Sequence, residues 1–322
     1  MKALRVRSGS VSVDDVAVPH GGSESLVRVL RSGICNTDLE IARGYAGFEG
    51  TIGHEFVGVV EASPDRHELI GKRVVGEINA GCGHCELCIA GDSRHCPGRT
   101  VLGIKGRNGA HAEFLVLPTR NLIEVPESIS DEDAVFVEPL AAAFGITERV
   151  SITSETHVAV IGDGKLGLLC AFSLALKTKN IALIGKHAEK LELATKNGRD
   201  IEVLDLSQIA NVRARYDVVV EASGSESGFS TALDLVKSRG KIVLKSTFQG
   251  NPAWQAFRIV VDEITVVGSR CGRFEAALHL LAEKKVRVDD LISERFDLTE
   301  GVEAMKEASK KGVLKVLLSM ER

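Results

Sequence analysis

The sequence predicts an α/β protein in which a β-rich domain with a cysteine lobe precedes a doubly wound α/β domain. Up to about residue 135, short apolar segments of strand length follow one another between glycine, proline and polar breaks. From about residue 138, similar segments alternate with helical stretches, which is typical of crossover connections in a buried parallel sheet. The length of 322 residues also suits two domains.

Individual elements follow from apolar alternation and from continuous apolar runs. The strands predicted in the first part span residues 11–18, 25–34, 55–62, 72–78 and 112–118. In the second part, strands are predicted at 156–162, 180–185, 199–205, 216–222, 240–246 and 264–269, with helices at 165–177 and 188–197. After about residue 272, we expect a helix over 274–286 and a last strand over 315–320.

Charge and hydropathy exclude several classes of protein. Forty basic and 44 acidic side chains give a net charge of −4, so we expect no nucleic-acid partner. The longest apolar stretch, 166–176, is too short for a bilayer span, and the first ten residues lack the apolar core of a signal peptide. The sequence therefore predicts a soluble cytoplasmic protein with no membrane partner.

Four of the seven cysteines lie close together between residues 80 and 100. Without a secretion signal, clustered thiols favour a metal site over disulfides. Short gaps between them let one turning backbone wrap a tetrahedral ion, and four thiolates leave no open position, as in structural zinc sites. An iron–sulfur cluster or four unrelated reduced thiols are the alternatives. The predicted structural zinc ligands are Cys82, Cys85, Cys88 and Cys96.

A glycine-rich loop follows the first strand of the second part. Gly162 permits the turn, Gly164 lets the backbone approach a pyrophosphate, and Gly167 allows close packing of helix and strand. The helix that starts at Lys165 and Leu166 offers N–H groups and a positive dipole end to the phosphates. This order of strand, loop and helix predicts a dinucleotide site; a loop without a nucleotide is the alternative.

The end of the next strand bears on the choice of dinucleotide. An acidic residue about 20 residues after the glycines binds the adenosine ribose of NAD in many such sites. Here the strand ends in Gly185, Lys186 and His187. Gly185 leaves room, and the two basic side chains could pair with a 2′-phosphate. We therefore favour NADP, with NAD as the alternative and Lys186 then an ordinary solvated residue.

Outside the lobe, Cys35, His54 and Glu138 offer one thiolate, one imidazole and one carboxylate. Three such ligands would leave the fourth zinc position open for water or substrate. Spacing alone does not prove this site, because isolated histidines and glutamates are usually ordinary surface or hydrogen-bonded residues.

The combination of motifs is more specific. The segment GHEFVGVVEA at 53–62, the C-x-T-D segment at 35–38, the four-cysteine lobe and the glycine loop occur in this order. Together they resemble the zinc-dependent alcohol dehydrogenases of the medium-chain dehydrogenase/reductase superfamily, over essentially the whole chain. The resemblance implies a GroES-like catalytic domain, residues 1–137 and 273–322, and a Rossmann domain, residues 138–272.

The resemblance also implies roles for single residues. Cys35, His54 and Glu138 would bind a catalytic zinc, with Glu55 beside it, giving two zinc ions per chain. Thr37 would begin a proton relay, although a local backbone hydrogen bond is the alternative role for its hydroxyl. Glu40 stands where many members have a relay histidine; either it takes the proton or the relay ends in water.

With glutamate as the third ligand, the set resembles that of the polyol and sugar dehydrogenase branches of the family. We therefore predict an enzyme that transfers a hydride between an alcohol, secondary or polyhydroxy, and NADP or NAD. The alternatives are a zinc-free quinone or enoyl reductase and a cofactor-binding protein without turnover. The resemblance also implies a homodimer or homotetramer built across the edge of the Rossmann sheet.

Several other residues have two interpretations. Arg273 would touch the cofactor phosphates or lie in solvent. Cys170 and Cys271 are predicted to pack rather than bind metal. The aromatic residues either line the substrate cleft or pack in a core or interface, and these are Tyr45, Phe48 and Trp254.

Overall fold

The computed structural model describes residues 1–209, 212–247 and 255–320. Close backbone contacts divide the chain into two compact units, Met1–Glu138 with Ala277–Arg322, and Pro139–Ala276. The domain limits predicted above stay a prediction beside these units. Trp254 lies outside the described residues.

The first part of the chain is a succession of short strands with few helices, in keeping with its apolar alternation. Its elements are β1 (Lys2–Arg7), β2 (Ser10–Asp15), β3 (Ser25–Ile34), α1 (Asn36–Ala42), β4 (Gly50–Thr51), β5 (Glu55–Ala62), β6 (Arg73–Gly76), β7 (Asn79–Ala80), α2 (Glu86–Ile89), β8 (Thr100–Leu102), β9 (Gly106–Arg107), β10 (Phe114–Leu117), β11 (Leu122–Glu124), α3 (Asp131–Ala134) and α4 (Val137–Phe144).

The second part alternates strands and helices. Its elements are β12 (Val158–Ile161), α5 (Lys165–Leu174), β13 (Ile181–Gly185), α6 (Ala188–Thr195), β14 (Glu202–Asp205), β15 (Tyr216–Glu221), α7 (Glu226–Leu235), β16 (Val236–Leu244), α8 (Ala256–Val261) and β17 (Thr265–Gly268). The last segment contains α9 (Phe274–Ala282), β18 (Ile292–Asp297), α10 (Gly301–Ala308) and β19 (Lys315–Ser319). No helix among the described residues has both the length and the apolar character needed to cross a bilayer.

In the first unit, a seven-stranded sheet runs in the order β11-β6-β5-β3-β19-β18, with β10 also paired to β3. Strand β3 therefore lies between β5 and the C-terminal strand β19. The pairing places Gly33 opposite both Glu55 and Leu317. Cys35 follows β3, His54 precedes β5 and Lys315 begins β19. This register therefore brings three distant stretches of chain together at the same end of the three strands.

In the second unit, six parallel strands run in the order β14-β13-β12-β15-β16-β17. The buried strands are nearly continuous apolar runs, as expected for a sheet covered on both faces. Strand order reverses at β12, and the glycine loop follows this strand. Ligands of doubly wound sheets bind at such switch points, beyond the carboxyl ends of the strands.

Candidate active site

Two groups of potential metal ligands occur among the described residues. In each group, one ligand atom from every residue lies within 4.8 Å of all the others. The first group consists of Cys82, Cys85, Cys88 and Cys96, and the second of Cys35, His54 and Glu55. Both belong to the first unit.

The lobe owes its geometry to short local contacts. The Cys96 Sγ accepts the N–H of Cys82 at 3.3 Å, which brings the ends of the lobe together. Hydrogen bonds from the N–H groups of His84 and Cys85 lower the pKa of the Cys82 thiol to about 6. At Cys85 the N–H of Cys88 acts in the same direction, but burial and the neighbouring thiols outweigh it and raise the pKa to about 11. Four thiols at these distances fit a closed zinc site.

The second group is buried, apart from its thiol. His54 is 3% exposed and Glu55 1%, while Cys35 is half-buried. Burial lowers the pKa of His54, but the negative charges of Asp38 and Cys35 outweigh it and raise the pKa well above its ordinary range. With Nδ1 near the Asp38 carboxylate, the imidazole has a second nitrogen to offer a divalent cation beside the Cys35 sulfur, so the donor set fits zinc.

Asp38 connects the two segments that carry Cys35 and His54. Its carboxylate accepts the N–H of Cys35 at 2.8 Å and the N–H of Gly53 at 3.1 Å. The same group lies 3.5 Å from Nδ1 of His54, so Nε2 would be the nitrogen that binds a metal. Asp38 therefore fixes both the backbone and the ring orientation of the candidate ligands.

A second buried histidine lies on the other side of Asp38. His111 is fully buried, with Nε2 3.4 Å from Asp38 and Nδ1 2.7 Å from the Ser32 hydroxyl. Both contacts are satisfied when Ser32 donates to Nδ1 and Nε2 donates to the carboxylate. Burial opposes ionisation of Asp38, but the two histidines outweigh it and hold its pKa well below the ordinary range.

Glu55 forms a short buried ion pair with Lys315. The two side chains approach each other across strand β3 at Gly33. A Cβ on Gly33 would lie 2.8 Å from a Glu55 oxygen and 3.2 Å from a Lys315 carbon, so only glycine leaves room there. Burial lowers the pKa of Lys315, but the charge of Glu55 outweighs it and raises the pKa above its usual range.

Glu138 does not belong to the group formed by Cys35, His54 and Glu55 within the described part of the chain. It lies in the first turn of α4. There the charges of His54, Glu55 and Lys315 are close enough to influence the pKa of its carboxyl. Burial raises the pKa of its carboxyl to about 7. Its predicted role as third ligand stays a prediction, and the geometry adds Glu55 as a second carboxylate for that position.

In the second unit, two of the three loop glycines have a steric reason, and the third borders open space. Gly162 has φ +117°, and a Cβ there would lie 2.6 Å from the Ala222 oxygen. A Cβ on Gly167 would lie 1.9 Å from the Gly162 oxygen. Gly164 caps α5 with nothing within 4 Å of its Cβ position, which leaves open space where a pyrophosphate binds. The loop therefore fits a dinucleotide.

Comparisons with known proteins give family matches in both parts of the chain. Residues 21–127 match the alcohol dehydrogenase GroES-like domain, and residues 166–283 match the zinc-binding dehydrogenase family. An erythritol/L-threitol dehydrogenase of Mycolicibacterium smegmatis is 31% identical over 320 residues, covering 89% of this chain and 88% of that protein. This chain belongs to the zinc-dependent alcohol dehydrogenase family.

Solved structures give the same result for this dehydrogenase. A zinc-binding dehydrogenase of Sinorhizobium meliloti, solved with NADP, has a TM-score of 0.89 at 29% identity, covering 99% of this chain and 98% of that one. The RspB alcohol dehydrogenase of Escherichia coli, solved with NADH, has a TM-score of 0.91 at 27% identity and 99% coverage of both chains. The predicted family, fold class and NAD(P)- and zinc-dependent enzyme class are thus confirmed.

The predicted relay residues of the dehydrogenase lie on helix α1. The Thr37 hydroxyl is 3.8 Å from the Cys35 Sγ, next to the candidate metal site. Glu40 accepts a hydrogen bond at 2.7 Å from Arg43, one turn along the same helix. Their roles in a relay stay predictions.

The aromatic candidates pack mainly in the first unit of the dehydrogenase. Tyr45 and Phe48 are half-buried against the core cluster that contains Ile41 and Ile52. Phe48 also lines a cavity of about 350 Å³ between residues 46–49 and 104–108. Packing, the alternative given above, is therefore what the structure shows for Tyr45.

The remaining candidates lie in the second unit. The Arg273 side chain is exposed, and its backbone N–H donates to Glu148 at 2.9 Å. Cys170 is buried within α5, where burial raises its pKa to about 12. Contact of Arg273 with phosphates stays a prediction, and neither Cys170 nor Cys271 belongs to a group of potential metal ligands among the described residues.

Sequence reasoning missed Lys315, His111 and Asp163. Lys315 opens an otherwise apolar last strand, and such a lysine is normally interpreted as a solvated strand end. For Lys315 and His111, the only sign in the sequence is a basic side chain within an apolar run. Their partners are far away in the chain, so the sequence does not indicate them. Asp163 lies inside the glycine motif itself, at a position where the motif allows any residue.

Proposed function

We propose that this dehydrogenase interconverts a secondary or polyhydroxy alcohol and its carbonyl compound at Cys35, His54 and Glu138, with Glu55 beside them. The convergence of Cys35 and His54 beside a buried carboxylate is the observation that supports this most directly. One thiolate, one imidazole and one carboxylate leave an open position, as in catalytic zinc sites. The similarity to an erythritol/L-threitol dehydrogenase supports a polyhydroxy alcohol as substrate.

When bound, zinc supplies Lewis-acid stabilisation of negative charge on the substrate oxygen, and the nicotinamide supplies the hydride acceptor. The protein's own residues hold these reactants and move the proton. Asp38 keeps Nδ1 of His54 directed at a carboxylate, and Lys315 holds the Glu55 side chain in place through their buried ion pair. The Thr37 hydroxyl, which lies 3.8 Å from the Cys35 Sγ, would accept the substrate proton and pass it to Glu40 or to water.

We propose that the lobe of Cys82, Cys85, Cys88 and Cys96 binds a second zinc ion with a structural role. All four ligand atoms lie within 4.8 Å of one another, and every position around the ion would be filled by a thiolate. Such a site contributes to folding and takes no part in the reaction.

For the cofactor, we propose binding by the glycine loop and the first turn of α5, which comprise Gly162, Gly164, Lys165, Leu166 and Gly167. Gly185, Lys186, His187 and Arg273 complete the proposed contacts. The exposed Lys186 side chain at the end of β13 supports NADP, with NAD as the alternative.

The decisive experiment counts zinc and measures turnover. The purified enzyme should contain about two zinc ions per chain and should oxidise members of a secondary and polyhydroxy alcohol panel, followed by nicotinamide absorbance with NADP and NAD. The Cys35→Ala variant should lose turnover and one of the two ions. Cys271→Ala, which removes a thiol outside both groups, is the matched control and should keep both.

Two results would contradict the proposal. One zinc per chain without alcohol oxidation would favour a zinc-free reductase or a protein without turnover. Unchanged turnover in Cys35→Ala would exclude this residue as a ligand. Glu55→Gln and Glu138→Gln, compared by zinc content, identify which carboxylate is the third ligand, because only loss of the true ligand lowers metal retention.

We also propose a homodimer or homotetramer formed across the edge of the second sheet. Strand β17 ends the strand order, and edge strands present unpaired backbone groups. The preceding helix α8 exposes Phe257 by 76%, Val260 by 75% and Val261 by 62%. Sedimentation of Phe257→Ser should show a shift toward monomer, whereas a monomeric native protein would contradict the proposal.

A cytoplasmic location is proposed from the cysteine chemistry. None of the seven cysteines, all of which lie among the described residues, forms a disulfide, and the proposed sites require reduced thiols. Fractionation of the cells that make the enzyme tests this; recovery outside the cytoplasm would contradict it.

A further inference from the structure

Asp163, within the glycine loop, reaches the end of the neighbouring strand β13. Its Oδ2 accepts the backbone N–H of Lys186 at 2.6 Å and that of His187 at 2.8 Å. The Nδ1 of His187 lies 3.0 Å from both carboxylate oxygens. A residue from the phosphate-binding loop therefore occupies the carboxyl end of the second strand.

Gly185 leaves the space that this carboxylate fills. A Cβ on Gly185 would lie 2.4 Å from Oδ2 of Asp163 and 2.6 Å from its Cβ. The strand end thus has no room for a side chain of its own. In many dinucleotide-binding folds an acid from this strand end binds the adenosine ribose. Here a carboxylate is present in the same region, supplied by a residue about 20 positions earlier in the chain.

The charge of Asp163 is maintained although the side chain is mostly buried. Burial opposes ionisation, but the hydrogen bonds from His187 and from the two backbone N–H groups outweigh it and lower the pKa of Asp163. Oδ2 takes three contacts and Oδ1 takes one, so Oδ1 keeps capacity for a further donor. A ribose hydroxyl can donate such a bond, whereas a 2′-phosphate cannot.

The contact with Asp163 also changes the direction and the charge of the His187 imidazole that a cofactor would meet. With Nδ1 donating to the carboxylate, the imidazole is directed at the glycine loop, and its charge, when present, is neutralised by Asp163. Lys186 has an exposed side chain and contributes only its backbone N–H to Asp163. The charges that act on a cofactor at this strand end are therefore the cation of Lys186 and the anion of Asp163.

We propose that Asp163 is a cofactor-specificity residue of this dehydrogenase, whose carboxylate favours the free ribose of NAD and weakens binding of the 2′-phosphate of NADP. This inference rests on the proposed function of the glycine loop. Lys186 acts in the opposite direction. Removal of the Asp163 charge and removal of the Lys186 charge should therefore change the ratio of the affinities for NADP and NAD in opposite directions.

The test measures binding rather than turnover. Dissociation constants of NADH and NADPH are obtained from nicotinamide fluorescence on the zinc-loaded enzyme, with displacement by 5′-AMP and by 2′,5′-ADP as a second reading. In Asp163→Asn the amide oxygen can still accept both backbone N–H groups. We expect the ratio Kd(NADPH)/Kd(NADH) to fall by about tenfold or more, equivalent to 1.4 kcal/mol.

Three further variants make the result specific. Lys186→Ala should raise the same ratio, and Glu192→Gln, which removes an exposed carboxylate in the middle of α6, should leave it unchanged. Asp163→Ser removes the charge while keeping an acceptor, and it replaces the asparagine variant if that variant does not fold. An unchanged ratio in a folded Asp163 variant would overturn the inference, whereas failure of the native enzyme to bind either dinucleotide would instead contradict the proposed function.

Discussion

The two candidate zinc sites of the first unit are built in opposite ways. The lobe draws four thiols from fifteen consecutive residues, between Cys82 and Cys96, and most of these thiols are partly exposed. The second site draws Cys35, His54 and Glu55 from two strand ends and adds Lys315 from a third strand, almost all of it buried. We therefore expect the lobe to depend on its proposed zinc ion, and the second site to depend on the fold around it.

The largest effect should come from breaking the lobe. A closed zinc site contributes about 10–16 kcal/mol in small zinc-dependent folds, and Cys96 is the buried ligand that joins the two ends. Cys96→Ala should lose one zinc and become sensitive to proteolysis between residues 80 and 100. Cys170→Ala, also a buried cysteine, is the control. Resistance of Cys96→Ala to protease with both metals retained would contradict the local dependence on metal.

The buried ion pair tests the dependence of the second site on the fold. Lys315→Met leaves the Glu55 charge buried without its partner, which destabilises proteins by about 3–5 kcal/mol. Urea unfolding of the zinc-loaded enzyme measures this. The double variant Glu55→Gln/Lys315→Met removes both charges and should recover most of the loss. Equal stability of the single and double variants would show that the pair does not act as a unit.

Asp38 should have an effect on metal affinity rather than on folding. Removing a group that orients a metal-binding histidine typically costs 10–100-fold in affinity. Asp38→Asn should therefore weaken retention of one zinc by about 10–100-fold in a competition with a chelator, while the lobe keeps its ion. Equally weakened retention of both zinc ions would mean that the two sites are not independent.

The smallest effect is expected at Glu40. Its contact with Arg43 is partly exposed, and such pairs contribute about 0.2–1 kcal/mol. Glu40→Gln should keep both zinc ions and nearly full stability. The relay hypothesis adds that alcohol oxidation falls and its pH profile shifts; unchanged kinetics would dismiss that role.

Local patterns of the sequence were sufficient for much of the fold. The runs at 25–34 and 55–62 became strands β3 and β5 with the same bounds, because both are apolar runs of strand length that the fold mostly buries. The lobe and the glycine loop were also predictable, since their ligating atoms lie close in sequence.

Long-range pairs were not predictable in this way. Lys315 and Glu55 are 260 residues apart, and Ser32 and His111 are 79 apart. No local pattern specifies which charge a buried residue meets, because that depends on the order of strands in the sheet. The strand order β5-β3-β19 is the information that a single sequence lacked.

The position of Lys315 also has a consequence for biosynthesis. During translation, Glu55 leaves the ribosome long before the strand that begins at Lys315 has been made. Until then the growing polypeptide has a carboxylate at this place without its cation, and the sheet lacks the strand that covers it. The proposed second site can therefore reach its final geometry only after strand β19 has been made, whereas the four thiols of the lobe are all present much earlier in synthesis.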